Sequence, residues 1–210
     1  MLGDVLLIED KHKNAAETIK KEVLANKKEK MIVAISGESG SGKSELAHSL
    51  AKSLQAEGVQ AKPLHIDNYY KTHPLEREEW RKKHGIESIG YNEYDWDTIY
   101  KNIDSFKKGE KAEMPCVDLV TQQVDKLITD FSNVEMLIID GLYAMKTENT
   151  DLNVFIDLTY HETKKAQLKR GKEKVNDYRM QVLEREHQVV RSLKERAHLI
   201  VNKEYQVEKA

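Results

Sequence analysis

Short blocks of consecutive apolar residues alternate along the chain with longer stretches in which apolar positions recur every three or four residues. The blocks predict strands buried on both faces, and the recurring pattern predicts amphipathic helices. Val5-Leu6-Leu7-Ile8 predicts a short strand, followed by a helix with Ala15, Ala16, Ile19, Val23 and Leu24 on one side. Lys27-Lys28-Glu29-Lys30 interrupts the pattern before Met31-Ile32-Val33-Ala34-Ile35, a buried strand. The next helix carries Leu46, Ala47, Leu50, Ala51 and Leu54 and stops near Gly58. Residues 62–66 predict another strand, 74–83 a charged helix and 85–93 a loop. A helix with Trp96, Ile99, Tyr100, Ile103 and Phe106 ends near Gly109, and 116–120 with 124–128 predict a small hairpin. Residues 134–140 predict a strongly apolar strand ending in a carboxylate; 152–158 and 197–201 predict two more strands, with a long helix over 175–196 between them.

Strands separated by helices imply mainly parallel pairing, with helices covering both faces of one α/β sheet. No Pro- or Gly-rich linker divides the chain. Residues 1–30 read as a strand-helix extension, its strand at a sheet edge and its helix packed beneath. Residues 31–210 read as the main domain.

Composition narrows this further. The chain has 210 residues, 39% hydrophobic and 33% charged, as expected of a folded globular protein. It contains no apolar run of about 18 residues and no basic-then-apolar leader, and Cys116 is the only cysteine, which excludes an internal disulfide and argues against a Cys-based zinc site. These features point to the cytosol. The net charge of −2 hides an asymmetry: residues 85–160 hold 15 Asp/Glu against 6 Lys/Arg, whereas 161–196 hold 11 Lys/Arg against 6 Asp/Glu. The balance gives no reason to expect nucleic acid or membrane as a partner; the basic stretch suits either a phosphorylated small molecule or a solvated helix face.

Gly37-Glu38-Ser39-Gly40-Ser41-Gly42-Lys43-Ser44 fits G-x-x-x-x-G-K-[ST], between a buried strand and an amphipathic helix. Glycines let backbone N–H groups converge on phosphate oxygens, and the helix N-terminus adds partial positive charge. Lys43 is expected to reach the β- and γ-phosphates, and the Ser44 hydroxyl to ligate Mg²⁺. Asp140, at the end of its strand and followed by Gly141, reads as the carboxylate that assists the metal or as a cap of the next turn. The fold class is therefore a P-loop NTPase-type, doubly wound α/β sheet. Guanine specificity is not expected, because Asn202-Lys203-Glu204-Tyr205 has Tyr where a carboxylate would accept the guanine N–H groups.

His65-Ile66-Asp67-Asn68-Tyr69-Tyr70 follows the second core strand, at the sheet edge where ligands bind in such folds. Asp67 there can orient a hydroxyl and accept its proton during phosphoryl transfer; the other readings are a turn residue or a metal-water ligand. Tyr69 and Tyr70 stack on a sugar or base, or pack. His65, His161, His187 and His198 show no metal-ligand spacing and read as structural or exposed.

The phosphate loop, Asp67-Asn68-Tyr69-Tyr70, Tyr94-Asp95-Trp96-Asp97 and Leu137-Ile138-Ile139-Asp140-Gly141 together resemble the uridine kinase and phosphoribulokinase-like P-loop kinases over residues 31–201. The resemblance implies ATP and Mg²⁺, transfer of the γ-phosphate to a hydroxyl of a nucleoside (uridine-like), sugar phosphate or related metabolite, and Asp67 as catalytic base. It also implies a lid around 161–176, where Arg170 is the preferred contact to the transferring phosphate, with Lys169 and Lys172 as alternates. A homo-oligomer is implied by the resemblance alone. The acceptor segment departs from the uridine kinase pattern: residues 89–95 carry no Asp-His-Pro, and Pro115-Cys116-Val117-Asp118 has Val in place of Tyr. Those departures remove groups that discriminate a pyrimidine. The alternative from another class is a nucleotide-dependent ATPase or switch acting on a protein partner, supported by the N-terminal extension and the altered acceptor motif.

Overall fold

A strand apolar at every position needs a cover on each side, and β1 (Met31–Gly37) has both. In the computed structural model, which describes residues 2–163 and 176–210, all seven of its residues are buried. It lies parallel between β5 (Met136–Asp140) and β6 (Leu152–Ile156). Outside β5 comes β2 (Ala61–His65); outside β6 come β7 (Leu199–Val201) and then β8 (Val207–Lys209). Only β8 runs antiparallel in this sheet. It escaped the sequence pattern because it holds a single apolar residue, Val207, among charged neighbours.

Side chains alternate across β1. Met31, Val33 and Ile35 join Leu46, Leu50 and Leu54 of α2 (Lys43–Ala56) and Ala15, Ala16, Ile19 and Val23 of α1 (Asp10–Ala25). Ile32 and Ala34 face Ile99, Ile103 and Phe106 of α4 (Trp96–Lys108) and Val190 of α5 (Asp177–Arg191). Each Leu or Ile buried this way contributes about 1.5–3 kcal/mol relative to exposure, so a doubly covered central strand anchors whatever follows its C-terminus. The α5 helix is shorter than the predicted 175–196: the Asn176 side chain caps its first turn and its end passes into a 3₁₀ turn at Lys194–Arg196. The charged helix α3 (Arg77–His84) forms as expected.

Two expectations fail. Residues 5–8 form no strand, and Val5 is 68% exposed. The N-terminus instead meets a separate hairpin, β3 (Lys111–Val117) with β4 (Val124–Asp130): Leu2 N–H donates to Val117 O at 2.9 Å and Leu119 N–H to Leu2 O at 3.0 Å. Four apolar residues specify a wish for burial but not a hydrogen-bonding partner. The helix that follows packs as expected and begins at a cap in which the Glu9 N–H donates to His12 Nδ1 at 2.9 Å. The first hairpin strand also lies earlier than the predicted 116–120. The Asp118 carboxylate accepts from Val120 N–H (2.8 Å) and Thr121 N–H (3.3 Å), turning the chain just after Val117.

Candidate active site

The loop between β1 and α2 sits at the middle of the sheet's carboxyl edge, and its glycines are required by contact. At Gly37 a Cβ would lie 2.8 Å from Ser41 Oγ and 3.0 Å from Ile156 Cβ. Gly42 caps α2 at φ +91°, where a Cβ would meet the Tyr205 hydroxyl at 2.5 Å. Lys43 is buried and donates to Glu38 O across the loop at 2.8 Å. Ser41 Oγ is buried and, among the described residues, has no hydrogen-bond partner, a donor suited to a phosphate oxygen. The Glu38 side chain turns outward as a brace: its carboxylate accepts from Tyr160 N–H at 2.7 Å and meets His187 Nδ1 of α5 at 2.6 Å. Thr163 Oγ1 donates to Ser39 O at 2.8 Å. From the outer side the Tyr205 hydroxyl donates to Ser41 O and Gly42 O at 3.1 and 3.3 Å, with the buried His12 ring edge-on to Tyr205. A cleft of about 380 Å³ opens there, lined by Leu7, His12, Gly40, Leu158, Lys203 and Tyr205 among others.

Parallel register decides the next contacts. Asp140 pairs with Ile35 on one side and His65 on the other. The Ser44 hydroxyl therefore reaches Asp140 Oδ2 at 2.8 Å, and His65 Nδ1 reaches Asp140 Oδ1 at 2.5 Å. Burial opposes ionisation of Asp140, but the charge and hydrogen bond of His65, the Ser44 hydroxyl and Lys43 outweigh it and leave the carboxyl below its usual range. His65 is raised, chiefly by Asp140, against desolvation. An ionised carboxylate beside a hydroxyl fits a Mg²⁺ ion that takes its other ligands from phosphate and water. No group of three or more His, Cys, Asp or Glu among the described residues forms a metal cage.

Asp67 lies in the 3₁₀ turn Ile66–Tyr69 that leaves β2. The turn packs onto the end of β5 because residue 141 is glycine: at φ +155° a Cβ would lie 2.1 Å from Ile66 Cγ1 and 3.4 Å from Asp67 Oδ1. Asp67 thus stands beside the Asp140–Gly141 corner, half-buried, with the Tyr94 hydroxyl 3.3 Å from its Oδ1. Tyr94 also hydrogen-bonds the Tyr70 hydroxyl at 2.7 Å. Tyr70 keeps part of its surface exposed, but Tyr69 does not: it is 2% exposed and donates to Asn102 Oδ1 at 2.8 Å, so a ligand-stacking role gives way to core packing. Tyr69 ends the 3₁₀ turn, whereas Tyr70 follows in extended backbone (φ −64°, ψ 136°) and bridges Tyr94, so the two side chains leave in different directions.

Sequence reasoning missed several groups here. His65 and His187, read as structural or exposed, brace Asp140 and Glu38. Tyr205, examined only as a failed guanine reader, supports the loop. Behind Tyr70 lies a buried ionic cluster: Arg81 grips Glu93 through two bonds of 2.6 and 3.0 Å, and Glu186 stands 3.5 Å from both Arg81 and Arg179. No local spacing links these residues, so no motif announces them. Arg170, Lys169 and Lys172 fall outside the described residues.

A family model described as "Phosphoribulokinase / Uridine kinase family" matches residues 32–207. A uridine kinase of Ureaplasma urealyticum is 28% identical over 140 residues, 63% of this chain and 64% of the relative. One of Staphylococcus aureus is 26% identical over 134 residues, 60% and 61%. The matched stretch therefore spans somewhat less than two thirds of each relative's length. Among solved structures, one described as a possible uridine kinase from Bacillus stearothermophilus superposes with a TM-score of 0.65 at 19% identity, covering 89% of this chain and 97% of that one. That likeness shows the fold.

Proposed function

The chain belongs to the phosphoribulokinase / uridine kinase family, and from that premise we propose that it transfers the γ-phosphate of ATP, with Mg²⁺, to a hydroxyl of a small metabolite in the cytosol. The observation that carries the reading is the meeting of Asp67 with the Asp140–Gly141 corner, which sets a second carboxylate beside the Ser44–Asp140 pair and the loop. Backbone N–H groups of residues 38–44, Lys43 and the Ser41 hydroxyl bind the triphosphate, and the 380 Å³ cleft between Leu7, Leu158 and Tyr205 suits the nucleoside half. Ser44 and Asp140 would hold Mg²⁺, which when bound neutralises charge on the phosphates.

Asp67 orients the acceptor hydroxyl. As the oxygen–phosphorus bond forms and the bridging P–O bond to ADP breaks, the hydroxyl proton passes to Asp67 Oδ. A loose transition state asks for positioning above all, which a carboxylate fixed by Tyr94 and the Gly141 contact provides. The test is an acceptor screen with γ-labelled ATP across neutral nucleosides, sugars, hydroxy acids and sugar phosphates. Labelled product from wild type and its near-absence from Asp67→Asn is the expected result; equal turnover by both removes Asp67 from the chemistry.

A further inference from the structure

Beside Tyr70 stands a guanidinium that has no carboxylate partner among the described residues. Arg81 is engaged by Glu93 and Glu186, and Arg179 lies at ion-pair distance from Glu186. Arg77, on the first turn of α3, has no carboxylate partner among the described residues, and its buried Nε has no acceptor. Its guanidinium carbon sits 3.5 Å over the Tyr70 ring, which also meets Tyr94 at 4.2 Å between centroids and the Arg81 guanidinium at 5.9 Å. The Tyr70 hydroxyl is bonded to Tyr94, and Tyr94 to Asp67. A single aromatic ring therefore separates the guanidinium from the hydrogen-bonded path that ends on the base. Asp67, Tyr70 and Arg77 are all partly open to solvent on this wall, whereas Arg81, Glu93, Tyr94 and Glu186 are buried behind it.

The cluster behind the wall is also incomplete. The Tyr143 hydroxyl, on a residue with no exposed surface, has no hydrogen-bond partner among the described residues, and neither do Glu186 Oε2 and the Tyr178 hydroxyl. Tyr143 packs edge-on against Tyr94 at 5.5 Å. A native protein satisfies most buried polar atoms, and unmet groups gathered at one place mark either strain or an absent ligand. A guanidinium at cation–π distance from a ring still carries N–H groups in a fork that can grip an oxyanion by two bonds.

We propose that the acceptor is an alcohol bearing an oxyanion, a carboxylate or a phosphate, a few atoms from the reacting hydroxyl, with Arg77 holding that anion while Asp67 receives the hydroxyl. The proposal rests on the kinase reading above and selects among its acceptors: a neutral nucleoside leaves Arg77 without a counter-charge. Opposite charges on the two sides of Tyr70 also orient the acceptor, since the anion is repelled by Asp67 and drawn to Arg77.

The test is equilibrium binding by calorimetry, in the presence of Mg²⁺ and a non-hydrolysable ATP analogue, of glycerate, glycerol 3-phosphate and ribose 5-phosphate against glycerol, ribose and uridine. Wild type, Arg77→Gln and Arg77→Lys are compared, with thermal melts confirming that each variant is folded. At least one anionic probe is expected to bind about tenfold or more tighter than its neutral counterpart. Arg77→Gln should erase that preference while ATP-analogue affinity stays within about twofold, and Arg77→Lys should restore part of it, less for a carboxylate held by a fork. Preference for hydroxy acids alone assigns the anion as carboxylate, and preference for the phosphates alone as phosphate. Neutral probes binding as tightly as anionic ones, no anionic probe binding, or a preference that survives Arg77→Gln overturns the proposal. Turnover is measured in parallel: an intact anion preference with no phosphoryl transfer to any bound probe defeats the kinase reading and leaves the anion site standing.

Discussion

The phosphate side and the acceptor side of the cleft are built in opposite ways. The phosphate side is one continuous strand, loop and helix, residues 31–56, whose geometry follows from glycines and from a strand buried on both faces. The proposed acceptor side gathers Asp67, Tyr70, Arg77, Tyr94 and Glu186 from four separate stretches and holds them by side-chain contacts. On the proposed function, backbone shape would bind what all nucleoside triphosphates share, whereas side chains would discriminate among acceptors. The first can stay fixed while the second varies, since altering Tyr70 or Arg77 leaves the loop's hydrogen bonds untouched.

The sharpest way to break this contrast is to disable one side and measure the other. Asp67→Asn is expected to cost about 10²–10⁴ in kcat while binding of an ATP analogue, followed by calorimetry, is retained; loss of nucleotide binding would show that the two sides are one unit. Lys43→Ala should cost about 10²–10³ in kcat and weaken the ATP analogue, with acceptor affinity unchanged by the same titration. In the acceptor cluster, Glu93→Ala leaves the buried Arg81 with only the longer Glu186 contact, and denaturant unfolding should register a loss of about 3 kcal/mol. A loss near zero would mean that the cluster relaxes freely and does not hold its shape. Smallest is Tyr205→Phe, which removes the hydroxyl donated to the carbonyls of Ser41 and Gly42. It should lower stability by about 1 kcal/mol, a Tm shift of about 2–4 °C, and raise the KM for ATP without changing the acceptor's.

The placement of these residues, as distinct from their roles, was partly legible in the sequence. The loop at 37–44 and its flanking elements were legible because phosphate binding there needs glycine at fixed intervals between a strand and a helix, all within one local segment. Asp140 was legible as the carboxylate ending an apolar strand, and Asp67 by following another. Tyr69 was misread because the chain changes from a 3₁₀ turn to extended backbone between Tyr69 and Tyr70, so adjacency in sequence does not put both side chains on one side. Residues 5–8 were misread because an apolar run carries no information about which edge pairs with it. His187 gave no signal: it braces Glu38 across 149 positions.

Local rules determined the elements themselves, the capped helices, the buried strands and the phosphate loop, because dihedral preference and side-chain periodicity act within a few residues. Only the tertiary structure decided that β5 lies between β1 and β2, and that insertion puts Asp140 in register with His65 and within reach of Ser44. It alone seated Arg77 on Tyr70 and left its Nε without an acceptor among the described residues. Register and charge pairing depend on which distant segments come to share a surface, and burying both faces of the sheet makes that choice for the chain as a whole.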